Sequence, residues 1–531
     1  FDVIFEELSS ISVPSPHDME TDDHQVVRIQ QQDIASARLE MKNRASCIAT
    51  ATLAAGDVVA KKTIASLSKE ISKNDGKREV ISLWTLGEIG KRSKLDDGNN
   101  IAGILWEKLE EDCSDEVKTA VAFALGSCAF GNKDAFFPKI LDTIKATNGV
   151  KESLKHSALR ALREVIVCTD GSSSNEDTLS GSQMSVPAYS ASPRKKKAKR
   201  EDDDVLFKST QQAWSIVLSK ARDENLEDDA VKADIAEVLG RFVARNHALV
   251  KEIQEGLTSI LKGEKTPANA KKAALLIDSV RIALVSLPKD EHFKSSLESF
   301  VQLVGDSDHN CRRAATQLLS VIARRNSAQN DDLSSLLPTV LPDILAQLKV
   351  NEALIKEIDF GPFKQKIDSG LELRTASYDF IDILLTQPKS SLGFAITDDD
   401  VEMIIENLIV GLKDPESSIK ISTHESFERL CGDSVANGGS YVLKHAEKIC
   451  ADMLETMWTE IPEKALKHER EAIEELIKST LKVVKAMEDI PDAAECSKLV
   501  ETKKEIVEDE LLSKFWMSLF GEKPHELELV A

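Results

Sequence analysis

One short pattern recurs along the chain and sets the first limit on its fold. "SDEVKTAVAFALGS" (114–127) has an acidic turn, an aliphatic–basic pair (Val117-Lys118) and then a helix of small residues. "EDDAVKADIAEVLGR" (227–241) repeats it with Val231-Lys232, "GDSDHNCRRAATQLLS" (305–320) with Cys311-Arg312, and "LKDPESSIKISTHESF" (412–427) with Ile419-Lys420. Weaker copies centre on Glu79, Lys155, Lys272 and Arg374. The anchors at 79, 118, 155, 232, 272, 312, 374 and 420 are separated by 39, 37, 77, 40, 40, 62 and 46 residues. A two-helix unit of about 40 residues cannot bury its apolar face alone, so its neighbours must stack on it to make one continuous core.

That period is the HEAT type, and the expected fold is an all-α HEAT-repeat α-solenoid with one inserted β-hairpin near the C-terminal end. "VEMIIENLIVGL" (401–412) shows the helical patterning: Val401, Ile404, Ile405, Leu408, Ile409 and Leu412 fall on one wide face. Asp398–Asp400 are read as its N-cap and negative first turn, and "KDPES" (413–417) as the break before the next helix. Aromatics make up 5% of the 531 residues, which suits helices better than an all-β fold.

The two long gaps each contain an insertion. Residues 168–204 are Ser-rich, lack apolar periodicity and read as a disordered insertion. The 62-residue gap contains "KEIDFGPFKQKIDSG" (356–370), where apolar and charged residues alternate about Gly361-Pro362. A two-residue turn with Gly first suits a type II′ hairpin. The register then sets Phe360 opposite Phe363, Ile358 opposite Gln365 and Lys356 opposite Ile367. On the other face it sets Asp359 opposite Lys364 and Glu357 opposite Lys366. Such opposed charges are worth roughly 0.2–1 kcal/mol each. The resulting organisation is a poorly ordered segment (1–25), HEAT repeats (26–167), the Ser-rich insertion (168–204), further repeats (205–350), a projecting hairpin (351–371), C-terminal repeats with a cap (372–520) and a tail (521–531).

Charge and motif inventories narrow the function. The formal net charge of −22 disfavours nucleic acid as a partner. The eight cysteines are scattered, without a Cys-x-x-Cys pair, and most sit among apolar helical neighbours. No signal peptide or uninterrupted 18-residue apolar run suggests a membrane. The chain begins with Phe, and is read as a fragment or processed product that is cytosolic or nuclear.

Enzyme signatures fail on spacing. "GEIGKRS" (87–93) has two residues where a P-loop needs four, and Gly87 reads as a close-packing residue instead. "DSDHNC" (306–311) lacks the Gly and terminal Glu of a calcium loop and reads as a helix-capping turn. The ten histidines have no metal-ligand spacing, so no metal, cofactor or catalytic residue is assigned. Arg194, Lys195, Lys196, Lys197, Lys199 and Arg200 form a basic run resembling a nuclear localisation signal, the kind an importin reads.

"LPTVLPDILAQLKVNEALIKEIDFGPFKQKIDSGLELRTASYDFIDILL" (337–385) resembles the cullin-associated, neddylation-dissociated exchange factors. The likeness is carried by Glu357–Phe360, by Gly361-Pro362-Phe363-Lys364, and by Asp368-Ser369-Gly370-Leu371 with Arg374. "SLWTLGEIGKRSKLD" and "VKTAVAFALGSCAFGNKDAFFP" resemble upstream repeats of the same family. It runs from about residue 30 to 520 and covers the family's C-terminal part; in some fungi relatives look split into two separately encoded halves.

The resemblance implies a non-enzymatic factor that holds an unneddylated cullin with its RING subunit. It competes with the adaptor/F-box module at the cullin's N-terminal end and so regulates cullin–RING ubiquitin ligases. A separate N-terminal solenoid half would complete the assembly. The implied adaptor-competing hairpin comprises Glu357, Ile358, Asp359, Phe360, Gly361, Pro362, Phe363, Lys364, Lys366 and Ile367. Localisation to nucleus and cytoplasm is expected. The alternatives are a HEAT-repeat nuclear transport receptor, although the five tryptophans lack Trp-x-x-x-Asn pairs, and a phosphatase-type scaffold.

Overall fold

The structure is a computed structural model that describes residues 24–525, except 74–75, 96–99, 112, 147–148, 171–210, 224–225, 287–293, 326–330, 361–362, 387–395, 433–434, 436 and 463–464. The chain divides into two compact units, Phe1–Gly256 with Asp278–Ser286, and Leu257–Ile277 with Leu287–Ala531. The described residues hold twenty-two α-helices and one two-stranded sheet.

The first unit contains α1 (His24–Ala54), α2 (Asp57–Ile71), α3 (Gly76–Arg92), α4 (Ile101–Glu110), α5 (Asp115–Gly131), α6 (Lys133–Lys145), α7 (Glu152–Asp170), α8 (211–221) and α9 (Asp229–Arg245). The helices α10 (Val250–Lys262) and α11 (Pro267–Ser286) contribute to both units. In the second unit α12 (Lys294–Val301), α13 (His309–Arg325) and α14 (Asp331–Ala346) precede the strands β1 (Ile355–Phe360) and β2 (Phe363–Asp368). After them come α15 (Leu371–Thr386), α16 (Asp398–Gly411), α17 (Ser417–Cys431), α18 (Gly438–Lys444), α19 (Ala446–Met457), α20 (Lys467–Glu488), α21 (Ser497–Glu508) and α22 (Glu510–Phe520).

The signature helices stack on one another. In the first unit α3 packs on α5, α5 on α7 and α7 on α9; in the second α13 packs on α15, α15 on α17 and α17 on α20. Small residues allow the close approach. A Cβ at Gly126 would lie 2.3 Å from the Ala161 carbonyl oxygen on α7, and one at Gly87 would lie 2.7 Å from the Phe123 ring on α5. Gly87 is therefore a packing residue, as its place in the repeat predicts.

All six apolar positions read from 401–412 are buried. Each large side chain of this kind stabilises the fold by roughly 1.5–3 kcal/mol. The cap differs from the expectation. Thr397 is the N-cap of α16, and Asp400 is its third residue. Thr397 Oγ1 accepts from the Asp400 N–H at 3.1 Å, and an Asp400 carboxylate oxygen accepts from the Thr397 N–H at 3.0 Å. Threonine wins because the three aspartates already lie inside the helix, where their charges favour the N-terminal end of its dipole.

The capping reading of 306–311 matches the geometry. Asp308 Oδ1 accepts from Asn310 N–H at 2.8 Å and Cys311 N–H at 3.4 Å at the start of α13. The helix α7 continues through Cys168 and Thr169, both buried, into the first three residues of the expected Ser-rich insertion. No helix among the described residues is long and apolar enough to cross a membrane.

Candidate partner-binding hairpin

The alternating sequence on either side of Gly361-Pro362 forms the two antiparallel strands β1 and β2. Their register is Ile355↔Asp368, Lys356↔Ile367, Glu357↔Lys366, Ile358↔Gln365, Asp359↔Lys364 and Phe360↔Phe363. It is the register that a two-residue turn dictates. Gly361, Pro362 and the side chains of Phe360 and Phe363 lie outside the described residues.

Lys356, Glu357, Ile358, Asp359, Lys364, Gln365, Lys366 and Ile367 are all exposed. Ile358 is 39% and Ile367 40% exposed, and the register sets them diagonally on one face. Two opposed charge pairs occupy the other face, but the ion pair within reach is the diagonal one, Lys364 to Glu357 at 3.4 Å. With both partners solvated it contributes about 0–1 kcal/mol. An isolated two-stranded hairpin is marginal in water, so stability must come from its root.

The root is built from residues that the local pattern does not single out. Asn351 Oδ1 accepts from the Ala353 N–H at 3.1 Å, and the Leu354 carbonyl accepts from the Ser369 N–H at 3.1 Å. Asp368, the last residue of β2, accepts from the Gly370 N–H at 2.8 Å with one oxygen. Its other oxygen accepts from Arg374 Nη1 at 2.5 Å. Arg374 also holds Asp414: Nη2 donates to Oδ1 at 3.2 Å, and Nε lies 3.0 Å from Oδ2 as an ion-pair contact.

Both Arg374 and Asp414 are buried side chains. Burial opposes the Arg374 charge, but the hydrogen bonds and charges of Asp368 and Asp414 outweigh it and raise the guanidinium pKa above its ordinary value. Holding two carboxylates with one planar guanidinium is what arginine supplies and lysine does not. A buried carboxylate–guanidinium–carboxylate clamp thus fixes the strand end to the turn between α16 and α17. Sequence reading placed Arg374 among the anchors but missed its partner Asp414, 40 residues away. The available signal was the aspartate six residues before the basic anchor, present at both 368 and 414.

The remaining candidates divide as follows. Arg194, Lys195, Lys196, Lys197, Lys199 and Arg200 lie outside the described residues. Glu402, Glu406 and His445 bring ligand atoms within 4.8 Å of one another, a grouping not visible in the sequence. The Lys444 ammonium already sits on the Glu402 carboxylate there, so a cation would have to displace it. The hairpin offers no such chemistry. It presents one face with exposed Ile358 and Ile367 and one charged face on a fixed base, which suits recognition by shape.

Comparison with known proteins agrees with this architecture. Yeast importin-beta, Kap95p, superposes with a TM-score of 0.53 at 11% identity, covering 97% of this chain and 56% of that one. Kap95p with RanGDP gives 0.53 at 12% identity, over 86% of this chain and 52% of that one. At such identities the likeness shows the fold alone: the chain is an all-α HEAT-type solenoid.

The family described as TATA-binding protein interacting (TIP20), TIP120, matches residues 333–517, which include the hairpin and its clamp. Cullin-associated NEDD8-dissociated protein 1 of Arabidopsis thaliana is 27% identical over 84% of this chain and 32% of its own length. The Dictyostelium discoideum protein of that name is 25% identical over 90% and 34%. The "C-terminal part" of the Emericella nidulans protein is 24% identical over 59% and 26%. The chain is similar to the C-terminal portion of these cullin-associated NEDD8-dissociated proteins. It spans about a third of the length of the first two of these relatives.

Proposed function

We propose that this chain binds an unneddylated cullin with its RING subunit, without catalysing a covalent step. In this reading the hairpin competes with the adaptor and its F-box substrate receptor. The observation that carries the proposal is the exposed, rigidly rooted hairpin at 355–368, inside the 333–517 family match. Competition at a shared surface needs an element that projects yet holds its shape, since ordering a mobile loop on binding would consume part of the affinity. Phe360 and Phe363 are the proposed apolar anchors, each worth about 1.5–3 kcal/mol when buried against a partner. Lys364 and Lys366 set register against acidic groups.

A separate N-terminal solenoid half is the proposed companion on the RING side. The basic run 194–200 is the proposed importin signal for shuttling between cytoplasm and nucleus. Replacing 357–367 with a short Gly-Ser linker tests the hairpin's role. We expect cullin binding to persist while displacement of a pre-bound adaptor, followed by loss of fluorescence transfer, disappears. Unchanged displacement by the linker variant would refute that role.

A further inference from the structure

A cleft of about 120 Å³ opens at the root of the hairpin, lined by Arg312, Asp343, Gln347, Lys349, Asn351 and Arg374 among others. We infer that it is a binding site for a compact oxyanion, a carboxylate or a phosphate group, with Arg312 as its principal donor. An aspartate stands six residues before the basic anchor in three successive repeats: Asp306 and Arg312, Asp368 and Arg374, Asp414 and Lys420.

Arg374 shows what the pattern does when complete, gripping the aspartate of its own turn and that of the next. By the same rule Arg312 would hold Asp306 and Asp368. Neither carboxylate reaches it. Asp306 Oδ1 accepts from the Asp308 N–H at 2.8 Å, and the two oxygens of Asp368 serve Gly370 and Arg374. The 62-residue spacing created by the hairpin separates these two anchors, and the rung at Arg312 is left incomplete.

The consequence is a guanidinium without a hydrogen bond or ion pair among the described residues, its Nε buried. Buried donors in folded proteins are nearly always satisfied, so such a group marks a place where a ligand or water completes the structure. Arginine's planar fork matches a carboxylate or phosphate in two parallel hydrogen bonds. The surroundings support an anion. Arg374 is already offset by Asp368 and Asp414, which leaves Arg312 and Lys349 against the single exposed carboxylate of Asp343. Asn351 spends its side-chain oxygen on the Ala353 N–H, and its amide nitrogen remains a donor. Gln347 is committed, donating to the Val304 carbonyl at 2.8 Å and accepting from Ser377 at 3.1 Å, and so forms a fixed wall. The inference stands on this geometry whether or not a cullin is the partner.

Calorimetric titration of the full chain with inorganic phosphate and, separately, acetate, at constant ionic strength with chloride as the balance, tests it. We expect one saturable site for at least one of the two, with Arg312→Gln weakening binding at least tenfold. Asp343→Asn, a change at an exposed position, should tighten it severalfold. The two titrants separate a phosphoryl ligand from a carboxylate ligand. Absence of saturable binding by both, equal affinity in the Arg312→Gln chain, or no change with Asp343→Asn would each overturn the assignment.

Discussion

His424 on α17 shows how one buried side chain ties stability to pH. Its Nδ1 lies 2.8 Å from Ser479 Oγ on α20. That hydroxyl gives its own proton to the Leu476 carbonyl at 2.8 Å, so Nδ1 carries the imidazole proton and Nε2 stays bare in the core. Burial, helped by the Lys420 charge, pulls the imidazole pKa down to about 3. In the unfolded chain it returns to about 6.5. Between those values the unfolded state binds a proton that the folded state refuses, so stability falls as pH drops through that window. From pH 7 to pH 5 the loss from this residue is roughly 2 kcal/mol. Urea titrations at both pH values should show a smaller drop for His424→Gln than for the unsubstituted chain. Equal drops would exclude His424 as the source.

At the scale of the element, the hairpin depends on its clamp more than on its own strands. Replacing Arg374 with Met strands the buried Asp414 carboxylate, a change that costs about 3–5 kcal/mol when a buried pair is broken. It also frees Asp368 at the strand end. Hydrogen exchange across 355–368 should accelerate more than exchange in α20, and the denaturant midpoint should fall. A hairpin equally protected in the Arg374→Met chain would show that the clamp is not its support.

Much of this element was legible. The turn dipeptide and strict alternation determine the register, because a slip of one residue would exchange the two faces. The apolar face of α16 was likewise readable from a local period. What escaped was set by contacts between distant residues or by one-residue competition. Asp414 is 40 positions from Arg374, and Thr397 stands one residue before the aspartates read as the cap. The diagonal Lys364–Glu357 pair was missed for a different reason, since register fixes which residues are opposed but not which flexible side chains meet.

For the whole molecule, the period near 40 carried the fold, and one of the two departures from it located the hairpin; the Ser-rich stretch expected at the other lies, from residue 171 on, outside the described residues. The hairpin interrupts the regular spacing, and Arg312, whose Nε is buried without a hydrogen bond, lies in the cleft at its root. Likeness to importin-beta reflects the same stacking and carries no partner with it.

The most direct test of the proposed role is immobilisation of the full chain and titration with a purified cullin–RING complex, unmodified or carrying NEDD8. The proposal predicts saturable binding of the unmodified cullin and release of that cullin's pre-bound adaptor. Failure of the unmodified cullin to bind, with the chain folded as judged by its helical circular dichroism, would contradict it.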